Sequence, residues 1–313
     1  MKKISILIPC YNEEENVVPI SKAIVSELMT NLPSYDYELV FIDNDSKDNT
    51  RPLLRKICKE NPKIKAIFNA KNFGQFNSPY YGMLQCSGDC VISMCCDFQD
   101  PVELIPQLVA KWEMGAKIVS CIKTQSKENP VMRMMRTIYY RIIKKMSSID
   151  QIEHFTGFGL YDSSFIEVLR NLNDPTPFLR GIVAELGYKR VNLEYTQAKR
   201  RAGKTHNNFF TLFDAAMLSF TSYTKVGLHM VTIAGMVLSV LSLLAALIYL
   251  VLKLFMWDSF SAGMAPLLIA IFFFNAVELL FIGFVGEYVM SINTRVMNRP
   301  LVIEEERINF EDE

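Results

Sequence analysis

Apolar residues fall into two regimes along this chain. Up to about Tyr223 they come in short runs that end in polar turns; beyond it they form two long stretches, Val226 to Leu252, where His229 is the one charged or imidazole side chain, and Ala262 to about Met290. Each exceeds the roughly 20 residues needed to cross a hydrocarbon core about 30 Å thick. The pattern predicts two transmembrane helices joined as a hairpin by a short polar loop. In the first regime, Lys3 to Cys10, Glu38 to Ile42, Ile64 to Phe68 and Cys90 to Cys95 are of strand length. Val17 to Met29, Arg51 to Lys59 and Ser78 to Gln85 carry helical spacing between them. Such alternation predicts an α/β domain with a mainly parallel sheet and helices on both faces.

Ligands of such sheets sit beyond the carboxyl ends of the strands, and the polar residues gather there. Tyr11-Asn12-Glu13 follows strand one, Asp43-Asn44-Asp45-Ser46 follows strand two, and Asp97-Phe98-Gln99-Asp100 follows strand four. One such cluster is an ordinary turn, since Asp, Asn and Ser favour turns. Three on one rim predict a polar cleft. Pro130 to Met146 sets Arg133, Arg136, Arg141, Lys144 and Lys145 among apolar residues at helical spacing, which predicts an amphipathic helix in the membrane interface. Asn207 to Tyr223 is a second such segment, leading into the first span.

Charge alters this picture through its distribution. Lys plus Arg and Asp plus Glu are both 33, so the net charge is zero, yet cations crowd Lys123 to Lys145 and Lys189 to Lys204 while Glu304 to Glu313 is acidic. The loop between the apolar runs carries only Lys253 and Asp258, against Lys225, Arg295 and Arg299 on the other side. That asymmetry predicts both termini and the α/β domain in the cytoplasm, with the cations toward anionic lipid heads rather than nucleic acid. Lys2 and Lys3 precede an apolar run that goes straight into Asn12-Glu13-Glu14-Glu15, which reads as a strand and not as a leader. The expected organisation is an α/β domain over 1–206, an interfacial helix over 207–223, the membrane hairpin over 224–292 and a cytoplasmic tail over 293–313. All seven cysteines fall in the part assigned to the cytoplasm, and no CxxC pair occurs, so buried thiols are expected rather than a zinc site.

An ordered set of motifs narrows the reading. Ile8-Pro9-Cys10-Tyr11-Asn12-Glu13-Glu14, then Phe41-Ile42-Asp43-Asn44-Asp45-Ser46, then Asp97-Phe98-Gln99-Asp100-Pro101 resemble a family 2 glycosyltransferase of GT-A fold. Phe178-Leu179-Arg180-Gly181, the basic Arg200-Arg201-Ala202-Gly203-Lys204-Thr205, and Gly286-Glu287-Tyr288 with Asn298-Arg299-Pro300 make the whole chain similar to the polyprenyl-phosphate glycosyltransferases. The resemblance implies an inverting transfer of a sugar from a nucleotide-sugar donor to a polyprenyl phosphate during cell-envelope glycan synthesis. By it, Pro9, Tyr11 and Glu13 line the base and ribose pocket, Asp43 and Asn44 meet the base, and Cys95, Cys96, Lys123 and Arg201 lie along the donor. Asp97, Arg200 and Lys204 carry the chemistry, and Asp97 with Gln99 holds a divalent cation, Mg²⁺ or Mn²⁺.

The sequence departs from the family at several places. The usual Asp-Asp pair of the second loop is Asp43-Asn44 here, and Asn offers a donor as well as an acceptor, compatible with uracil and with guanine. The usual Asp-x-Asp at the fourth strand is Cys95-Cys96-Asp97, which keeps one carboxylate and predicts a weaker cation site, since hard cations prefer oxygen. His206 stands where the family has a lysine. In the second apolar run Asn275 and Glu278 share one helical face, which predicts packing between copies of the chain. Two other readings stay open at this point: transfer to a lipid hydroxyl, which needs a general base, and a non-catalytic subunit that only binds the nucleotide sugar.

Overall fold

The computed structural model describes residues 1–125, 152–198, 200–202 and 264–310, with single positions between 217 and 255. The predicted helix Pro130 to Met146, Lys204 and nearly all of Asn207 to Tyr223 lie outside the described residues, as does much of the first apolar run.

Strand β1 (Lys3–Cys10), helix α1 (Val17–Asn31), β2 (Asp36–Asp43), α2 (Thr50–Glu60), β3 (Ile64–Asn69), α3 (Gly74–Leu84) and β4 (Cys90–Ser93) follow in the alternation the sequence predicts. Three edges differ. The α3 helix begins before Ser78, because Gly74 to Asn77 has no apolar periodicity to announce it. β4 stops at Ser93, where Met94 N–H turns to Leu7 O at 3.1 Å. β2 begins two residues early by pairing Asp36 with Lys3. A single 3₁₀ turn leads into α4 (Ile105–Glu113), followed by β5 (Ile118–Gln125), β6 (Phe155–Asp162), α5 (Ser163–Leu172), α6 (Leu179–Glu185) and β7 (Arg190–Thr196).

The eight-stranded sheet has the order β7-β5-β6-β4-β1-β2-β3-β8. β1 runs parallel to β2 and β4, β2 to β3, and β5 to β7, while β6 and β8 are antiparallel to their neighbours. Strand periodicity of two sorts the core onto both faces. Ile4, Ile6, Ile8, Leu39 and Phe41 pack with Ile20, Ile24, Leu54 and Leu108 of α1, α2 and α4. Leu7, Val40, Ile42 and Ile67 pack with Met83, Phe165, Leu169 and Ile182 of α3, α5 and α6. These runs are buried on both sides, which is why they read as continuous apolar stretches. The carboxyl ends of β1 to β5 and β7 share one rim, and chain direction diverges on either side of β1, the position where open α/β sheets bind ligands.

Helix α7 (Met264–Met297) is 34 residues long, about 50 Å at 1.5 Å per residue. Within it, Phe273–Met297 is the one helix among the described residues that is long and apolar enough to cross a membrane. The described positions of the first apolar run, such as Ile233, Leu241, Leu244 and Ile248, are helical and exposed. The chain after α7 returns to the domain. Ala70 N–H donates to Ile303 O at 2.9 Å, and β8 (Glu304–Ile308) pairs antiparallel with β3, Glu304 opposite Asn69 and Ile308 opposite Ala66. The segment expected as a tail therefore supplies an edge strand of the sheet. Its glutamates pair across with Arg51 and Arg55 at 2.7 and 2.6 Å, which is how an acidic run becomes a strand.

Candidate active site

The rim is built by stitching the first two loops together. Asn12 N–H donates to Ser46 Oγ and Glu13 N–H to Thr50 Oγ1, both at 2.8 Å, and Lys47 N–H donates back to Asn12 Oδ1 at 2.8 Å. Asn12 and Asp45 adopt left-handed φ of 55° and 68°, a conformation that Asn and Asp tolerate better than other side chains. Pro9, Tyr11 and Glu13 are half-buried along this edge, and Glu13 accepts from Asn16 Nδ2 at 2.6 Å.

Asp43 and Asn44 differ in what they leave open. Asn44 donates to Asn72 Oδ1 at 3.0 Å and Gly74 O at 3.3 Å, and accepts from Asn69 Nδ2 at 3.1 Å and Phe73 N–H at 2.9 Å. Both amide hydrogens and both lone pairs are engaged, so Asn44 organises the 72–74 turn and has nothing left for a base. Asp43 is fully buried, its Oδ2 accepts from Ser46 N–H at 3.1 Å and Arg51 Nε at 2.6 Å, and its Oδ1 has no partner. A buried acceptor without a donor is costly unless a ligand supplies one.

After β4 the chain turns through Phe98 at a φ of 60°. Asp97 is buried, and its Oδ1 accepts from Gln99 N–H at 3.1 Å. Its Oδ2 pairs with Arg200 Nε at 2.8 Å, and Arg201 N–H donates to its carbonyl at 3.2 Å. The Arg201 guanidinium stands over the Phe98 ring, 5.1 Å from its centre. The structure thus brings together Asp97, Gln99, Arg200 and Arg201. Cys96 is buried, and Cys95 opens to solvent. The neighbouring carboxylates, Asp100 first and then Asp97, push the Cys95 thiol well above its ordinary range. Asp100 itself is buried, which raises its carboxyl, and it accepts from Cys95 N–H at 2.9 Å and Tyr195 OH at 3.1 Å.

These contacts decide how a divalent cation fits. Among the described residues no three His, Cys, Asp or Glu side chains converge on one point. Cys95 is a neutral thiol and a poor ligand, and Asp100 braces the loop. Asp97 remains, which suits a hard cation that arrives on diphosphate oxygens and needs one protein carboxylate.

The other expected residues lie on the same rim at a distance. Lys123 stands in register with Tyr195 on β7, one strand from the Asp100 contact. Arg180 opens α6 with its guanidinium 5.1 Å from the Phe178 ring, which meets Phe76 edge to face. Sequence reasoning missed Arg51, Asn16, Asn69 and Tyr195. Only Arg51 left a signal, a cation in the first turn of α2 where the helix dipole disfavours it.

Residues 5–169 match Glycosyl transferase family 2. The uncharacterized glycosyltransferase YkcC of Bacillus subtilis is 30% identical over 98% of this chain and 95% of its own length. The SfII prophage-derived bactoprenol glucosyl transferase of Shigella flexneri is 30% identical over 96% and 97% of the two chains. The prophage bactoprenol glucosyl transferase homolog of Escherichia coli is 29% identical over 96% and 98%. With a GT-A-like α/β domain and a polar rim at its switch point, this chain belongs to glycosyl transferase family 2 and is a nucleotide-sugar glycosyltransferase.

Proposed function

We propose that the chain is an inverting transferase that passes a sugar from a UDP-sugar to a polyprenyl phosphate at the cytoplasmic face of the cell membrane, anchored there by a two-helix hairpin. One observation carries this reading: the apolar, exposed helix α7 ends at the rim that holds Asp97 and Arg200. Its last turn meets that rim through Arg295 and Asp174 at 2.9 Å, and the chain then enters β8 beside Asn69. A lipid-borne phosphate held at the membrane surface would arrive where the cations are. The relatives named bactoprenol glucosyl transferase support a polyprenol acceptor and make glucose the first sugar to try. The orphan Oδ1 of Asp43 suits the ring N–H of uracil, which guanine also offers.

An ionised acceptor suits the carboxylates of this rim. Such an acceptor asks none of Asp43, Asp97, Asp100 and Glu13 to act as a general base. A phosphate monoester has a second pKa near 6 and needs none at neutral pH. Its oxygen forms the bond to the anomeric carbon while the bond from that carbon to the diphosphate breaks, and the electron pair leaves with UDP. The protein's part is to place two anions side by side and offset their charge. Arg200 reaches from the acceptor segment to the donor-side Asp97, and Arg201 and Lys204 extend that basic segment. A divalent cation held between Asp97 and the diphosphate would neutralise the leaving charge. Asn275 and Glu278, both exposed on α7, are assigned to contacts between copies in the membrane.

Replacing Asp97 by Ala is expected to lower turnover by at least about a hundredfold while leaving the fold intact, as read by circular dichroism. Turnover near wild type in that variant would remove Asp97 from the mechanism.

A further inference from the structure

Arg51 occupies an unfavourable place for a cation, the first turn of α2, where the helix N-terminus is itself positive. Three acceptors hold it there. Its Nε donates to Asp43 Oδ2 at 2.6 Å, one terminal nitrogen to Glu305 Oε2 at 2.7 Å, and the other to Asn69 O at 2.5 Å. The guanidinium lies 5.6 Å from the centre of the Phe68 ring, and the side chain is 14% exposed. With every edge of the fork engaged, its plane is fixed. With Arg51 and Ser46 N–H both on Oδ2, the Asp43 carboxylate is fixed in turn, and the oxygen it turns away, Oδ1, is buried and unpartnered.

We infer that Arg51 is a positioning residue for the donor nucleotide, aiming Asp43 at the base, and that Glu305 ties this device to β8, the strand that follows the apolar helix α7. The inference rests on the reading that Asp43 meets the base. It adds a role for β8: the C-terminal strand completes the donor pocket from behind, so the anchoring segment and nucleotide binding are mechanically joined. Lysine at 51 would keep the charge and lose the fork.

The test is UDP binding by calorimetry and steady-state kinetics on the full chain in detergent, with Asp43→Asn, Arg51→Lys, Glu305→Gln and the Arg51→Lys/Glu305→Gln double variant. Arg51→Lys is expected to weaken UDP binding about tenfold, the loss of one charge-assisted hydrogen bond, and to raise the donor KM alike while kcat stays within about twofold. Glu305→Gln, on an exposed side chain that folding tolerates, is expected to weaken it about two- to threefold. The double variant should be no worse than Arg51→Lys alone, because both act through one device. Wild-type UDP affinity in Arg51→Lys, or full additivity in the double variant, overturns the inference if Asp43→Asn has lost binding. Undiminished binding in Asp43→Asn overturns the reading beneath it.

Discussion

Asp97 and Arg200 are far apart in sequence and 2.8 Å apart in space, and both were readable as site residues because each stands in a motif. Asn44 was read as meeting the base beside Asp43, whereas its amide is taken up within the protein. That Asn69, Asn72, Phe73 and Gly74 would converge on its amide depends on the turn after β3, which no local pattern announces. Glu38 was likewise hidden within an apolar strand. It is buried, and it accepts from Ser5 Oγ at 2.6 Å, Ser87 N–H at 2.7 Å and the ammonium groups of Lys3 and Lys65 at 2.8 Å. Burial is the largest influence on its carboxyl and opposes ionisation, but these bonds together outweigh it and bring the pKa down to about 2. A depressed carboxyl contributes stability above its ordinary pKa and loses it as pH falls toward the folded value. Glu38→Gln is expected to cost a few kcal/mol at pH 7, on the order of one pKa unit per 1.4 kcal/mol. The deficit should shrink between about pH 4.5 and pH 2, as read by thermal unfolding across that range. An equal deficit at both ends would show that Glu38 acts through packing instead.

Among elements, strands β1 to β4 were legible because burial on both faces makes them continuous apolar runs, and α1, α2 and the second half of α3 because one stripe of each packs on the sheet; α4 and strands β5 to β7 were not read from the sequence. β8 was not either. Glu304-Glu305-Glu306-Arg307-Ile308 reads as a solvated acidic tail, and it becomes a strand only because β3 offers an unpaired edge and α2 presents Arg51 and Arg55 beside it. Asn309 closes this strand at a left-handed φ of 63°, its Nδ2 donating to Cys58 O at 2.7 Å and Ile64 O at 2.8 Å. Replacing it by Ala removes both bonds and leaves in the left-handed region a residue that tolerates it less well than Asn. The expected loss is about 2 kcal/mol, a drop in melting temperature of several degrees. An unchanged melting temperature would mean that β8 is held by its ladder and ion pairs alone.

For the molecule as a whole, the sequence carried its two-part character openly, a polar-rimmed α/β half and an apolar half. It did not carry the return of the chain from α7 to the edge of the sheet, because pairing of residues so far apart leaves no periodicity behind. That return brings the end of an apolar helix to the polar rim, and it motivates the proposal of a lipid-borne acceptor. Transfer to a polyprenyl phosphate predicts that neither substrate is consumed without the other. The measurement is UDP release by the purified full chain in detergent, offered UDP-glucose with and without undecaprenyl phosphate, with Mg²⁺ present or chelated. The account predicts release only when the lipid phosphate is present, falling on chelation. UDP release that ignores the lipid, or none from any UDP-sugar in its presence, would contradict it.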